Sequence, residues 1–315
     1  MQPQQDTIDF NSGYAIAFLS ALILSTTGVV IRYLLETYHI PPMILAFWRN
    51  GFLTIFLLVF LELRYPFLVE VRRSDLGLLA VYGLVLSLFN ILWTTSVALN
   101  GAAVATLLVY SSAGFAALFG WWLLDEGLDR AKVVAITLCL GGCALVSGVV
   151  GGRTDLAVEP LGILTGLLSG LSYGLYSLMG RSVCRHGLNP WTAMLYSFGF
   201  AGLFLLAFNL LNLDSLPWGS RQAGDFFWLG TAWEGWGILV LLAIGPTLAG
   251  FGLYTVSLNR LPASIANLIA TTEPVFTAIL AFLLLGEMLT PLQLGGALVI
   301  LASVLTLRFT LAARE

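Results

Sequence analysis

Runs of about 20 apolar residues, each long enough to cross a bilayer core as a helix, recur along this chain between short polar links. Ten such runs are legible, at approximately 13–34, 43–62, 76–98, 103–124, 131–150, 160–180, 190–212, 235–257, 263–285 and 291–309. Short links between them favour antiparallel neighbours. The longest link, Asn212 to Glu234, carries Trp218, Phe226, Phe227, Trp228 and Trp233. Aromatic residues in that setting mark the lipid–water boundary, which predicts a helix lying on the membrane surface there.

The pattern occurs twice. Gly13, Ala17, Ala21 and Ser25 form a stripe of small residues four apart, and Gly162, Gly166, Gly170 and Gly174 repeat it 149 positions later. The same offset carries Leu19-Ser20 onto Leu168-Ser169, Arg32 onto Arg181 and Pro41 onto Pro190. Farther on, Ala105, Phe115 and Glu126 fall onto Ala266, Phe276 and Glu287 at an offset of 161. Five spans per half is an odd number, so the second half enters the membrane from the opposite side. The expected architecture is all-α and integral to the membrane, with ten transmembrane helices in two inverted five-helix repeats. A tail at 1–12 precedes the first repeat, 13–152; the second, 153–310, ends in a tail at 311–315. Inverted repeats of this kind build secondary transporters, with the solute held near the midplane between the halves.

Composition agrees. Of 315 residues 58% are hydrophobic and 10% charged, with a mean hydropathy of +0.92, against roughly 25% charged in soluble domains. The net charge of −3 supplies no basic field for nucleic acid. Met1 to Asn11 has no Lys or Arg, so the run from Gly13 reads as a retained first span rather than a cleaved signal. Counting Lys and Arg in the links places ten on the side of both termini and three on the other, with Arg49 inside a span. The excess predicts cytoplasmic termini.

Cys139, Cys143 and Cys184 form no CxxC, and His39 and His186 lie far apart. No metal cluster or nucleophile–base set can be assembled from them. There is no phosphate-binding P-loop for ATP-driven transport. The expectation is a non-enzyme without cofactor or metal, whose partners are a small-molecule substrate and the lipid bilayer, functional as a monomer.

The sixth span carries the most polar face. Thr165, Ser169, Ser172, Tyr173, Tyr176 and Ser177 fall within an arc of about 140° at helical spacing. Such a face lines a cavity or forms a polar seam between helices. Tyrosine cannot easily bond back to its own helix, which favours an outside partner. In the third span Tyr82, Phe89, Asn90 and Trp93 share a face. In the fourth, Thr106, Tyr110, Ser111 and Ser112 lie near the midplane, at the depth of Asn267, Thr271, Thr272 and Glu273 in the ninth. The candidate substrate-binding residues are Tyr82, Asn90, Trp93, Tyr110, Ser111, Ser169, Tyr173, Tyr176, Asn267 and Thr271. Arg49 and Glu273 are the two charges well inside spans, each costing about 2.5–3.5 kcal/mol at a helix centre. Glu273 reads as a proton or amine site, or as a carboxyl capping a kink at Pro274. Arg49 attracts a carboxylate, or braces helices through Trp48, Asn50 and carbonyls. Asp125-Glu126 and Gly286-Glu287 mark the water boundary on opposite sides, which excludes a catalytic pair.

These features resemble the drug/metabolite transporter superfamily, in its EamA-type ten-helix branch. The resemblance rests on the duplication, Arg49 in the second span, Thr272-Glu273-Pro274-Val275-Phe276, Gly286-Glu287 and Gly295-Gly296-Ala297. The first repeat has Ser112-Ala113 where the second has Glu273-Pro274, which departs from a relay of two carboxylates. The layout is most similar to bacterial exporters of aromatic and other neutral amino acids, which implies a bacterial inner membrane as its setting. It implies a basket of helices 1–4 and 6–9 around a central cavity, helices 5 and 10 outside, and alternating access by rocking of one half. Multidrug or nucleoside efflux is the alternative transporter reading, and a non-transporting membrane scaffold the alternative of another class. Phosphorylated solutes would need several cations, where Arg49 stands alone.

Overall fold

The computed structural model describes residues 3–125, 127, 129–146, 159–211, 223–273, 275–276, 279–280 and 291–312. The described backbone is all-helical. Helices α1 (Pro3–Tyr38), α2 (Pro42–Arg64), α3 (Arg73–Val109), α4 (Ser112–Leu124) and α5 (Arg130–Val146) come from the first half. Helices α6 (Pro160–Arg185), α7 (Pro190–Leu210), α8 (Trp233–Arg260), α9 (Ala263–Ala270) and α10 (Pro291–Ala312) come from the second. Among the described residues five stretches are long and apolar enough to cross a membrane on their own: Pro42–Arg64, Arg73–Ser96, Pro160–Arg185, Pro190–Leu210 and Trp233–Arg260. Ser12–Thr27, Ser112–Leu124 and Leu294–Ser303 are shorter apolar helices.

Local chemistry sets many boundaries. Proline occupies the first turn of α2, α6 and α7, where its missing N–H is not needed. The Asn189 side chain caps α7 by accepting from the Trp191 N–H at 2.9 Å. His39 closes α1 and Asp125 closes α4 with φ of 51° and 54°, the left-handed conformation that ends many helices. Inside α8, Pro246 cannot donate a backbone hydrogen bond, and Ala243–Ala249 widens into a π segment. The Thr247 hydroxyl donates to the Leu242 carbonyl there at 2.8 Å.

The backbone of 3–12 is helical and continuous with α1. Helical backbone also runs through the link expected at 99–102, and a further break falls at Tyr110-Ser111. Even so, α3 is not straight. A methyl built on Gly166 would lie 2.7 Å from Ser96 Oγ and 2.8 Å from Leu108 Cβ, whereas a straight helix would separate those two residues by about 18 Å. The helix axis therefore folds back between them, because small residues of α6 draw both arms onto one surface.

The helices pack in a regular set of pairs: α1 with α8, α3 with α6, α2 with α7, α4 with α9 and α5 with α10. α3 also packs on α7, and α4 on α6. Helices α5 and α10 touch chiefly each other; a methyl on Gly142 would meet the Gly296 carbonyl oxygen at 2.9 Å. Large apolar side chains such as Ile55, Val59, Leu164, Leu203 and Trp122 point outward, a surface suited to lipid. One end of the bundle is tied by Arg260 donating to Ser12 and by Thr192 and Tyr196 donating to the Leu68 and Val69 carbonyls. Arg181 donates there to the Leu258 and Leu261 carbonyls. The opposite end is an aromatic cluster. Trp48 donates to the Phe226 carbonyl and Trp228 to that of Tyr38, with the Trp236 indole edge-on to Trp48. Phe226, Phe227 and Trp228 of the aromatic link thus dock on α1 and α2; Trp218 lies outside the described residues.

Candidate functional site

Four tyrosines form a column at the centre of the bundle. Tyr82 of α3 stacks on Tyr176 of α6, centroids 4.5 Å apart and planes 20° apart. Tyr176 is parallel to Tyr173 at 6.3 Å, and Tyr173 to Tyr254 of α8 at 5.9 Å. Phe89 packs on Tyr173 at 5.1 Å, and Phe251 meets Tyr176 edge-on. Each ring comes from a helix whose small residues permit the approach. Gly180 faces the Tyr82 hydroxyl, and Gly170 and Gly174 bring α6 against α4. The Tyr82 and Tyr176 hydroxyls are buried and approach each other, and that of Tyr176 also approaches Ser197 and Thr255, with none of these contacts a well-formed hydrogen bond. Buried phenols ordinarily find one, and an unsatisfied group of this kind requires an explanation.

Beside the column runs a hydrogen-bonded network that joins four helices. Ser112 of α4 donates to Asn267 Oδ1 of α9 at 2.7 Å. Asn267 Nδ2 donates to Ser177 Oγ of α6 at 2.8 Å and to the Tyr254 hydroxyl at 3.3 Å. Ser177 and Tyr254 share a further bond of 2.6 Å. Asn267, Ser112 and Ser177 have no solvent exposure. The network sits where two helices break. The breaks, Tyr110-Ser111 after α3 and Thr271-Thr272 after α9, are related by the 161-residue offset of the duplication. The Tyr110 hydroxyl bonds the Glu273 carboxyl, linking the two breaks. Pro274 lies outside the described residues, as do Glu126 and Gly286-Glu287.

Of the sequence candidates, Tyr82, Tyr173, Tyr176 and Asn267 are brought together here. Tyr110 pairs with Glu273, and Asn90 pairs with Arg49 at 2.8 Å. Trp93 is half-buried against the core. Three others turn away into their own helices. Ser169 donates to the Gly166 carbonyl, Ser111 to that of Leu108 and Thr271 to that of Leu268, with Thr271 also bonding Cys139 Sγ at 3.3 Å. Thr165 and Ser172 likewise bond back to α6 carbonyls. The polar face of α6 is therefore divided: its tyrosines and Ser177 reach other helices, and the rest satisfy themselves.

Sequence reasoning missed Tyr254. A signal existed, since the 161 offset that relates the later parts of the repeats places Trp93-Thr94-Thr95-Ser96 on Tyr254-Thr255-Val256-Ser257. A separate cavity of about 570 Å³ lies between α2, α7 and α8, lined by apolar groups such as Phe56, Phe60, Leu248 and Trp191. Its lining is mostly apolar and includes none of the four tyrosines of the column.

Comparison with known proteins gives a consistent picture. The sequence profile of the EamA-like transporter family matches residues 11–148 and again 160–309. An uncharacterized transporter of Archaeoglobus fulgidus is 27% identical over 93% of this chain and 95% of its own length. A probable amino-acid metabolite efflux pump of Salmonella typhimurium is 26% identical, over 90% of this chain and 92% of its own. A solved crystal structure superimposes with a TM-score of 0.75 at 17% identity, covering 96% of this chain and 98% of that one; it shares the fold.

Proposed function

The chain belongs to the EamA-like transporter family, and from that premise we propose that it exports amino acids, aromatic or otherwise neutral, by alternating access. It is a membrane transporter built from two copies of the family's unit. In the proposed arrangement the copies, 13–152 and 153–310, are ten spans in two inverted halves. The helix pairs support this reading. Exchanging each helix of one half for its counterpart turns α1·α8 into α6·α3 and leaves α2·α7, α4·α9 and α5·α10 unchanged, as a two-fold axis between the halves requires.

The observation that carries the substrate reading is the tyrosine column with its two buried, incompletely bonded hydroxyls. Stacked rings offer flat apolar surface, and Tyr82, Tyr176 and the amide of Asn267 offer neutral donors and acceptors. Aromatic walls with a few polar groups suit a small solute with an apolar side chain. The column is closed as it stands, and rocking of the halves would separate α3 from α6 and expose both hydroxyls. A relative described as a probable amino-acid metabolite efflux pump supports the same class.

Purified protein in liposomes, offered a panel of solutes with and without a pH gradient, should move neutral amino acids in preference to organic cations, nucleosides and phosphorylated sugars. Movement of those others with no neutral amino acid would overturn the proposal. Orientation follows from the cationic end tied by Arg181 and Arg260, where Arg185 also donates to the Leu124 carbonyl, and which we assign to the cytoplasm together with both termini. Reporter fusions at Asn100 and Arg153 should be active outside, and one at the C-terminus inside. A C-terminal reporter active only outside would remove the topology and the inversion together.

A further inference from the structure

Arg49 lies about two turns into α2 and is 7% exposed. Its Nη2 donates to Asn90 Oδ1 at 2.8 Å, while its Nε is buried with no partner. Among the described residues no carboxylate pairs with it. Neither neighbour braces it: the Trp48 indole can only donate and does so to the Phe226 carbonyl at 2.6 Å, while Asn50 turns its Nδ2 to the Ala46 carbonyl at 2.7 Å and leaves its Oδ1 buried without a partner, not on the guanidinium. Asn90 is itself held, its Nδ2 donating to the Leu86 carbonyl at 2.9 Å, so its oxygen is turned toward the guanidinium. A guanidinium has five N–H donors in a planar fork that matches a carboxylate. Here the fork is positioned by one neutral contact and left with buried donor capacity, and among the described residues its charge is uncompensated.

We infer that Arg49, oriented by Asn90, receives the carboxylate of the transported solute. This inference deepens the export reading and rests on it. One guanidinium balances one carboxylate, whereas a phosphate would call for further cations. The site adjoins the aromatic column, since Asn90 follows Phe89, whose ring packs on Tyr173. A solute with its carboxylate at Arg49 lays an apolar side chain toward Phe89 and Tyr173. A purely bracing arginine would instead affect stability without distinguishing one ligand from another.

The test compares solutes that differ in the carboxylate alone, on the full chain in lipid nanodiscs: phenylalanine against phenylalaninamide, and 3-phenylpropionate against 3-phenylpropanamide. The acids should bind at least about tenfold more tightly than the amides, as a charge-assisted bidentate contact gives. Arg49→Gln should reduce that preference to roughly twofold or less. Asn90→Asp, which supplies an internal carboxylate to Arg49, should do the same without removing the cation. Equal binding of acid and amide by the unaltered protein overturns the inference, whether or not Arg49→Gln folds. So does a preference that survives in either folded variant. The two readings fail differently. Arg49-dependent binding of 3-phenylpropionate with no movement of amino acids sinks export and keeps the carboxylate site. Movement of amino acids and their amides alike does the reverse.

Discussion

Valine at Gly83 will leave little folded protein in the membrane, and alanine there will lower thermal stability by about 1–3 kcal/mol, the range for overpacking a close-packed interior. A methyl on Gly83 would lie 2.4 Å from Phe200 Cβ, 2.8 Å from the Ser197 carbonyl oxygen and 3.0 Å from the Ala201 nitrogen. Two of these are backbone atoms of α7 and cannot rotate aside, so α3 and α7 must separate. Their separation would also shift Tyr82, one residue earlier, off Tyr176. Gly77 on the same helix meets nothing within 4 Å, and alanine there should be neutral or slightly stabilising through helix propensity. Thermal midpoints of the purified variants by fluorescence-detected size exclusion check both. An unchanged midpoint for Gly83→Ala would show that α3 and α7 do not approach as described.

The second large effect is expected at Asn267. Leucine there fills similar space and removes the acceptor for Ser112 and the donor to Ser177 and Tyr254. The hydroxyls retain other partners: Ser177 keeps the Tyr173 carbonyl and the Tyr254 hydroxyl. The stability loss should therefore stay within about 1–3 kcal/mol. Transport should fall further, by roughly tenfold or more, a loss equivalent to about 1.4 kcal/mol or more. The network positions Tyr254 and joins the two helix breaks, so its loss misplaces the column. A double-mutant cycle of Asn267→Leu with Ser112→Ala should show coupling within the range of interhelical hydrogen bonds in membranes, about 0.6–1.7 kcal/mol. Additive effects on stability, or full transport by a folded Asn267→Leu protein, would reduce the network to packing.

The same contrast recurs at adjacent residues. Gly141 and Gly142 are indistinguishable along the chain. A methyl on Gly142 would strike Ile300 and the Gly296 carbonyl of α10, whereas one on Gly141 meets nothing. Cys139 belongs to no motif in the sequence, and in the fold it contacts both Ser303 and Thr271. Ser169 and Tyr173 lie on one predicted face of α6, yet Ser169 bonds its own helix and Tyr173 stacks on α8.

The sequence alone determined the helical, membrane-borne character of the chain, its doubling, and many helix starts such as those at Pro42, Pro160 and Pro190. Apolar runs, proline and the recurrence of small residues act locally, and burial in lipid is a property each segment carries by itself. Only the tertiary structure decided which polar groups reach across to other helices, which glycines are irreplaceable, and that Arg49 is held by Asn90 rather than by Trp48 or Asn50. Lipid and protein interior are nearly equally apolar, so hydropathy cannot tell a lipid-facing side from a buried one. Pairing is settled by van der Waals fit and hydrogen bonds between helices distant in sequence. Tyr254 and Tyr173 become neighbours only when α6 and α8 close on each other.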